Sequence, residues 1–251
     1  MQKLKLGTVN MWLPSSVMAS IHDEFGVFDM PFIIKDRKHM AKVEKNVLPG
    51  MFKNLEDKTG YKVIAVWENG FRHITNNTRP INTPGDLKGI KLRTPKSKWR
   101  VKMFQSYGAN PTPMSFSEVF TALKTGTMDG QENPYAQIAS AKFQEVQKYL
   151  SITGHVYTPA YVTVHKDHWN KLPADVQDIL EKAAKDTQKF VYKEAAKLEK
   201  SLLKVIKDAG VQVNEADKGA FIAASKGIYD QFGSEVPTGG ALVKKVSSLA
   251  K

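Results

Sequence analysis

From Pro173 to Gly210 the chain carries a run that can only be one long helix: Val176, Ile179, Leu180, Ala183, Phe190, Val191, Leu198, Leu202, Val205 and Ile206 keep helical spacing with no internal breaker. Proline at the start and glycine just past the end are the asymmetric signals of helix entry and exit. A helix over residues 174–209 would extend roughly 54 Å at about 1.5 Å per residue. That exceeds the diameter of one small lobe. A projecting coiled-coil arm would account for the length, but the apolar spacing is not a sustained heptad, and the strand-like Val211-Gln212-Val213 follows at once. With 251 residues, 41% of them hydrophobic, the chain can bury one large core or the cores of two small lobes.

The remaining elements alternate. Lys62–Trp67 and Ala160–His165 are short β-rich runs beside helical sequence, a pattern of α/β class that predicts a largely parallel sheet. Asp36 reads as an N-cap for a helix whose apolar positions are Met40, Val43, Val47, Leu48, Met51 and Leu55, with Pro49 kinking or dividing it. Ser115 and Glu118 form a capping box in front of Val119, Phe120 and Leu123. The longest apolar stretch, Phe25–Ile34, is interrupted by Asp29 and Pro31 and is too short to span a bilayer.

Charge and composition bound the chemistry. There is no cysteine, which removes disulfides, thiol catalysis and Cys-ligated metals. The net charge is +12, and the excess sits in residues 1–150, with 22 Lys and Arg against 13 Asp and Glu. Its densest piece is Lys91, Arg93, Lys96, Lys98, Arg100 and Lys102. A nucleic-acid surface would want several stacking aromatics beside such a run, and only Trp99 is there, so attraction of small anions is the better use of the charge. Two clusters invite a catalytic or metal reading, His22-Asp23-Glu24 and His165 with Asp167 and His168. Neither specifies a third ligand, and no glycine-rich phosphate loop, nucleophile elbow or paired-carboxylate motif accompanies them.

Two residues stand out as candidates for ligand contact. Arg93 closes the strand pattern Ile90-Lys91-Leu92-Arg93 just before a proline-bounded turn, where a planar fork of donors suits a carboxylate or phosphate. Asn133 precedes Pro134 at an element boundary, a position that also suits a helix N-cap.

Five segments occur in order around them: Glu68-Asn69-Gly70-Phe71-Arg72-His73, Leu87–Pro95, Asn110–Val119, Asp129–Pro134 and Phe143–Tyr149. Over Gly7 to Phe232 the chain resembles the solute-binding subunit of tripartite ATP-independent periplasmic (TRAP) transporters, the family that binds C4-dicarboxylates, sialic acid and other organic acids. The resemblance implies a two-lobed, type II periplasmic-binding-protein-like α/β fold in which the long helix crosses both lobes. It places a first lobe at residues 1–69, a second at 70–157, a return to the first at 158–197 and to the second at 198–251. It implies a hinged cleft that closes on ligand. It further implies a periplasmic protein, not an enzyme, without a cofactor or metal. Such a protein is a monomer that delivers an organic acid, foremost a C4-dicarboxylate, to a TRAP permease and binds no nucleic acid.

Carried over residue by residue, Arg93 is the arginine that pairs with the ligand carboxylate, and Asn133 a polar contact at a helix start. Arg72 is a second basic residue near the hinge, Phe116 an aromatic wall, and His155 a histidine reaching the ligand through water. Ser15, with Ser16, lies in a first-lobe loop that faces the cleft. Family members open with a signal peptide, a strand, a helix, a strand and a second helix, whereas Lys3–Met11 already resembles the end of that second helix and the next strand. The expectation is therefore an amino-terminally truncated chain with an incomplete first lobe, and a non-transporting remnant is the alternative function.

Overall fold

Two strands of 16 and 17 residues, β1 (Tyr61–Asn76) and β5 (Tyr149–His165), form the axis of the computed structural model, which describes residues 2–250. They run antiparallel along nearly their whole length, from Tyr61 opposite His165 to Asn76 opposite Tyr149. Before them come α1 (Arg37–Asn46) and α2 (Leu48–Thr59). Asp36 caps α1 by accepting from His39 N at 2.8 Å, and Pro49 in the first turn of α2 marks the division. Gly60, left-handed at φ 75°, ends α2 and turns the chain straight into β1.

The stretch between the long strands builds most of the second sheet half: β2 (Lys91–Thr94), α3 (Lys98–Ser106), β3 (Asn110–Pro113), α4 (Phe116–Lys124), β4 (Gly130–Asn133) and α5 (Tyr135–Ser140). After β5 come α6 (Ala174–Asp208), β6 (Gln212–Glu215) and the closing helices α7 (Lys218–Ala224), α8 (Lys226–Glu235) and α9 (Gly239–Ser248). The six strands lie in the order β3-β2-β4-β1-β5-β6.

This sheet is mixed, which corrects the largely parallel one expected from strand–helix alternation. β2 pairs in parallel with β3 and β4, and β5 with β6, but β1 is antiparallel to both its neighbours. The reason is topological. β1 and β5 are the two longest strands, and the chain leaves along one and, after residues 77–148, returns along the other, so the two pair antiparallel. Register shifts at Val63/Ala65, Glu68/Gly70 and Arg72/Ile74 bend the pair, and Gly70 (φ 118°) lies opposite Thr158 at the middle of both strands. The segment from Lys3 to Met11 opens with a short helix and makes no ladder; Trp12 alone bridges to Thr163, with bonds of 2.9 and 2.8 Å.

The long helix forms as read. α6 has 35 residues, about 52 Å, and stops at Gly210 (φ 90°). Its two halves close different cores. Leu180 and Ala184 pack with Ile64, Val162, Val164 and Trp169, whereas Leu202, Leu203 and Ile206 pack with Val119, Leu123, Ile138 and Phe143. Polar ties fix the crossing: Trp67 Nε1 donates to Ala184 O (2.9 Å) and Gln188 Nε2 to Val66 O (2.7 Å). The largest core joins residues 4–66 to residues 81–109 and to α7–α9. Among the described residues no helix is long and apolar enough to cross a membrane.

Candidate ligand-binding cleft

At the bend of β1 and β5 lies a cleft of about 550 Å³. One wall is the segment from Trp12 to Val17; the floor is Glu68, Asn69 and Arg72 of β1; the other wall is Arg93, the Met114–Phe116 turn, Asn133 and Gln137. Five of the six candidate residues thus meet in one place: Arg93, Asn133, Arg72, Phe116 and Ser15. Segments 68–72, 93–96 and 114–137 come together because β4 pairs with β1 and β2 pairs with β4.

Arg93 is 4% exposed. Its Nε and Nη2 both donate to Met114 O, at 3.0 and 2.6 Å, which fixes the fork against the wall. Its carbon Cζ lies 6.0 Å from the centroid of the half-exposed Phe116 ring, the first residue of α4. Among the described residues it has no ion pair and no bond at Nη1. Burial pulls this guanidinium down to about 10, and the attraction of Glu132 is opposed by the nearby charges of Arg72 and Arg100.

Arg72, by contrast, is paired with a carboxylate. Nε donates to Glu132 Oε2 (2.5 Å) and Nη2 to Glu132 Oε1 (3.0 Å), Glu132 O (2.5 Å) and Asn133 Oδ1 (2.9 Å). Glu132 also accepts from Arg100 Nη1 (2.7 Å), whose Nη2 reaches Asp29 Oδ1 at 2.5 Å. Burial pushes the Glu132 carboxyl up, but Arg100 and Arg72 outweigh it and hold it well below the usual carboxylate range. The buried cluster therefore sets three guanidinium groups, Arg72, Arg93 and Arg100, against two carboxylates, Asp29 and Glu132. The uncompensated positive charge falls on Arg93, which lines the cleft beside Arg72 and has no carboxylate partner among the described residues.

Two sequence readings change here. Asn133 is not an N-cap: it ends β4, Pro134 occupies the cap position, and the Asn133 amide is held between Arg72 and Gln131 Oε1 (2.5 Å). His155 does not line the cleft. It is fully buried behind Arg72, with Nε2 on Glu132 Oε2 (3.1 Å) and Nδ1 on Thr153 Oγ1 (2.7 Å), and burial holds its basicity below the ordinary value.

Sequence reasoning missed Glu132, Arg100 and Asp29. Arg100 belongs to the basic run from Lys91 to Lys102, yet it is fully buried, while Lys98 and Lys102 turn outward to Asp23 and Glu235. The available signal was Asp29, an acid inside the apolar run Phe25–Ile34. Also unassigned were Asn69 and Gln137. Asn69 donates to Ser15 Oγ (3.2 Å) and Thr158 Oγ1 (3.0 Å) and accepts from Gln137 Nε2 (3.1 Å), tying the walls across the bend. Ser15 Oγ in turn donates to Pro159 O (2.7 Å), while the buried Ser16 Oγ has no partner among the described residues. The second histidine cluster does other work: His165 Nδ1 accepts from Asp167 N at 3.4 Å and His168 Nε2 bonds Lys5 O at 2.9 Å.

The family model for DctP, bacterial extracellular solute-binding protein family 7, matches residues 1–235. This chain belongs to that family. Among relatives of this family-7 protein, the 2,3-diketo-L-gulonate-binding periplasmic protein YiaO of Escherichia coli is 38% identical over 247 residues, covering 97% of this chain and 75% of the relative. The sugar acid binding protein DctPAm of Advenella mimigardefordensis, solved with galactonate, superposes with TM-score 0.93 at 34% identity over 99% of this chain and 81% of its own. A TRAP periplasmic solute-binding protein of Sulfurospirillum deleyianum, solved with succinate, does so with TM-score 0.93 at 33% identity over 99% and 83%. The fold is the two-lobed architecture of these TRAP solute-binding proteins, a family whose named members are binding proteins.

Proposed function

We propose that this family-7 protein captures an organic acid carrying one carboxylate and several hydroxyls and hands it to a TRAP membrane permease. The observation that carries the reading is Arg93, desolvated and without a carboxylate partner among the described residues, because a buried charge is retained only where something pairs with it. Asn69, Ser15, Ser16, Asn133 and Gln137 surround it with neutral hydrogen-bonding groups suited to hydroxyls. A C4-dicarboxylate is the second reading, favoured by Lys96 at the rim, which could take a second carboxylate. The role is binding rather than catalysis. Closure would move residues 1–69 with 158–197 against 70–157 with 198–251; the two smaller cores each draw on only one of these sets, while the largest core joins them.

A thermal-shift panel of galactonate, glucuronate, L-gulonate, succinate and neutral galactose tests this. A ligand at about 100 times its Kd stabilises by roughly 2.7 kcal/mol, an increase of about 5–10 °C in a chain of this size. Hydroxy acids should give that shift, succinate a smaller one and galactose none. A galactose shift equal to the acids', or no shift with any, contradicts the reading.

A further inference from the structure

β1 presents alternate residues to opposite sides of the sheet, so Arg72 faces the cleft while its neighbours Phe71 and His73 face away. On that opposite side is a second cavity of about 710 Å³, within the size range of small-molecule sites. Phe32, Phe71 and Tyr135 supply aromatic walls. Phe32 is held at φ 60° with its N–H on His155 O (2.8 Å), a left-handed conformation that is uncommon for an aromatic residue.

The polar groups of this cavity are poised for an anion. His73 is 6% exposed and stacks on Tyr135 with ring centroids 4.4 Å apart. Its Nδ1 accepts from Gly154 N (3.2 Å), so in the neutral ring the proton sits on Nε2, which has no partner among the described residues and lies in the cavity lining. Lys35 and Lys218 stand at the mouth, exposed and without an ion pair among the described residues. The one acid in the lining, Glu199, is engaged by Arg37 at 2.9 Å.

We propose that this cavity is a second ligand site, separate from the cleft, that takes a flat organic anion: the ring lies among Phe32, Phe71 and Tyr135, and the acid group receives His73 Nε2–H and pairs with Lys35 and Lys218. The probe is 2-naphthoate, followed by the His73 Cε1–Hε1 cross-peak of the isotope-labelled full chain. The result expected is a saturable shift. Lys35→Ala and Lys218→Ala, which alter exposed side chains and should leave the melting temperature unchanged, each weaken binding about threefold to fivefold. Neutral 2-naphthol binds more weakly than the acid, and Arg93→Ala leaves naphthoate binding unchanged. No saturable shift, equal binding of naphthol, or insensitivity to both lysine variants overturns the proposal. Loss of binding in Arg93→Ala would place the probe in the front cleft and overturn it as well. The cleft reading stands or falls separately, on the sugar-acid panel.

Discussion

Glu132→Gln removes the carboxylate that holds the buried cluster together while keeping its size. Arg100 retains Asp29, but Arg72 loses its bidentate partner, and the new amide presents N–H groups toward guanidinium donors. Breaking a buried ion pair by removing one partner costs roughly 3–5 kcal/mol, because the other charge stays desolvated. For a chain of this size, at about 2–4 °C per kcal/mol, the melting temperature should fall roughly 6–20 °C. Urea unfolding should show a lower midpoint with an unchanged slope. The pH dependence gives an independent signature. The folded-state pKa of Glu132 lies well below its ordinary value of 4.5, so its stabilisation is fully present above about 4.5 and is lost as pH falls toward the depressed value. Below pH 4.5 the variant's stability should therefore decline less steeply than the parent's. A loss under about 1 kcal/mol, or parallel acid profiles, would refute the claim that Glu132 anchors two guanidinium groups.

Burial lowers His73 from 6.5 to about 3, so between these values the unfolded chain binds a proton that the folded chain does not. Stability should be full above pH 6.5 and fall on acidification, and His73→Phe should make that limb shallower by up to about 1.4 kcal/mol per pH unit, read by urea titrations from pH 7 to 4. Gly130→Ala would bring a Cβ within 2.3 Å of Thr75 O, and should cost about 1–3 kcal/mol of unfolding free energy as β4 is forced from β1. Trp67→Phe deletes the indole bond to Ala184 O that ties α6 to β1, and should lower stability by about 1 kcal/mol in the same measurement.

Local signals were readable in the sequence because they depend on neighbours. Asp36, Ser115 with Glu118, and Pro173 with Gly210 all mark the ends they were expected to mark, since capping and left-handed turns are decided within a few residues. Arg93 was legible as a residue near a strand end, but its burial against Met114 O was not. What could not be read depends on distant partners. The antiparallel β1–β5 pair joins Tyr61 to His165, far apart in the chain, and periodicity carries no strand direction. Arg100 looks like its lysine neighbours until Asp29 and Glu132 are placed beside it. His155 and Asn133 carried family roles, but Glu132 and Arg72 decide where their polar atoms point.

The most direct test of the account is the affinity of Arg93→Ala for whichever of galactonate, glucuronate, L-gulonate or succinate the parent binds most tightly, measured by titration calorimetry. If Arg93 supplies the unpaired charge that grips the carboxylate, the loss is about 2–5 kcal/mol, roughly 30- to 5,000-fold in Kd. Arg93→Lys should remain poor, since a point charge cannot reproduce the fork, while the unliganded melting temperature changes little. An Arg93→Ala protein that binds the acid as tightly as the parent would contradict the account.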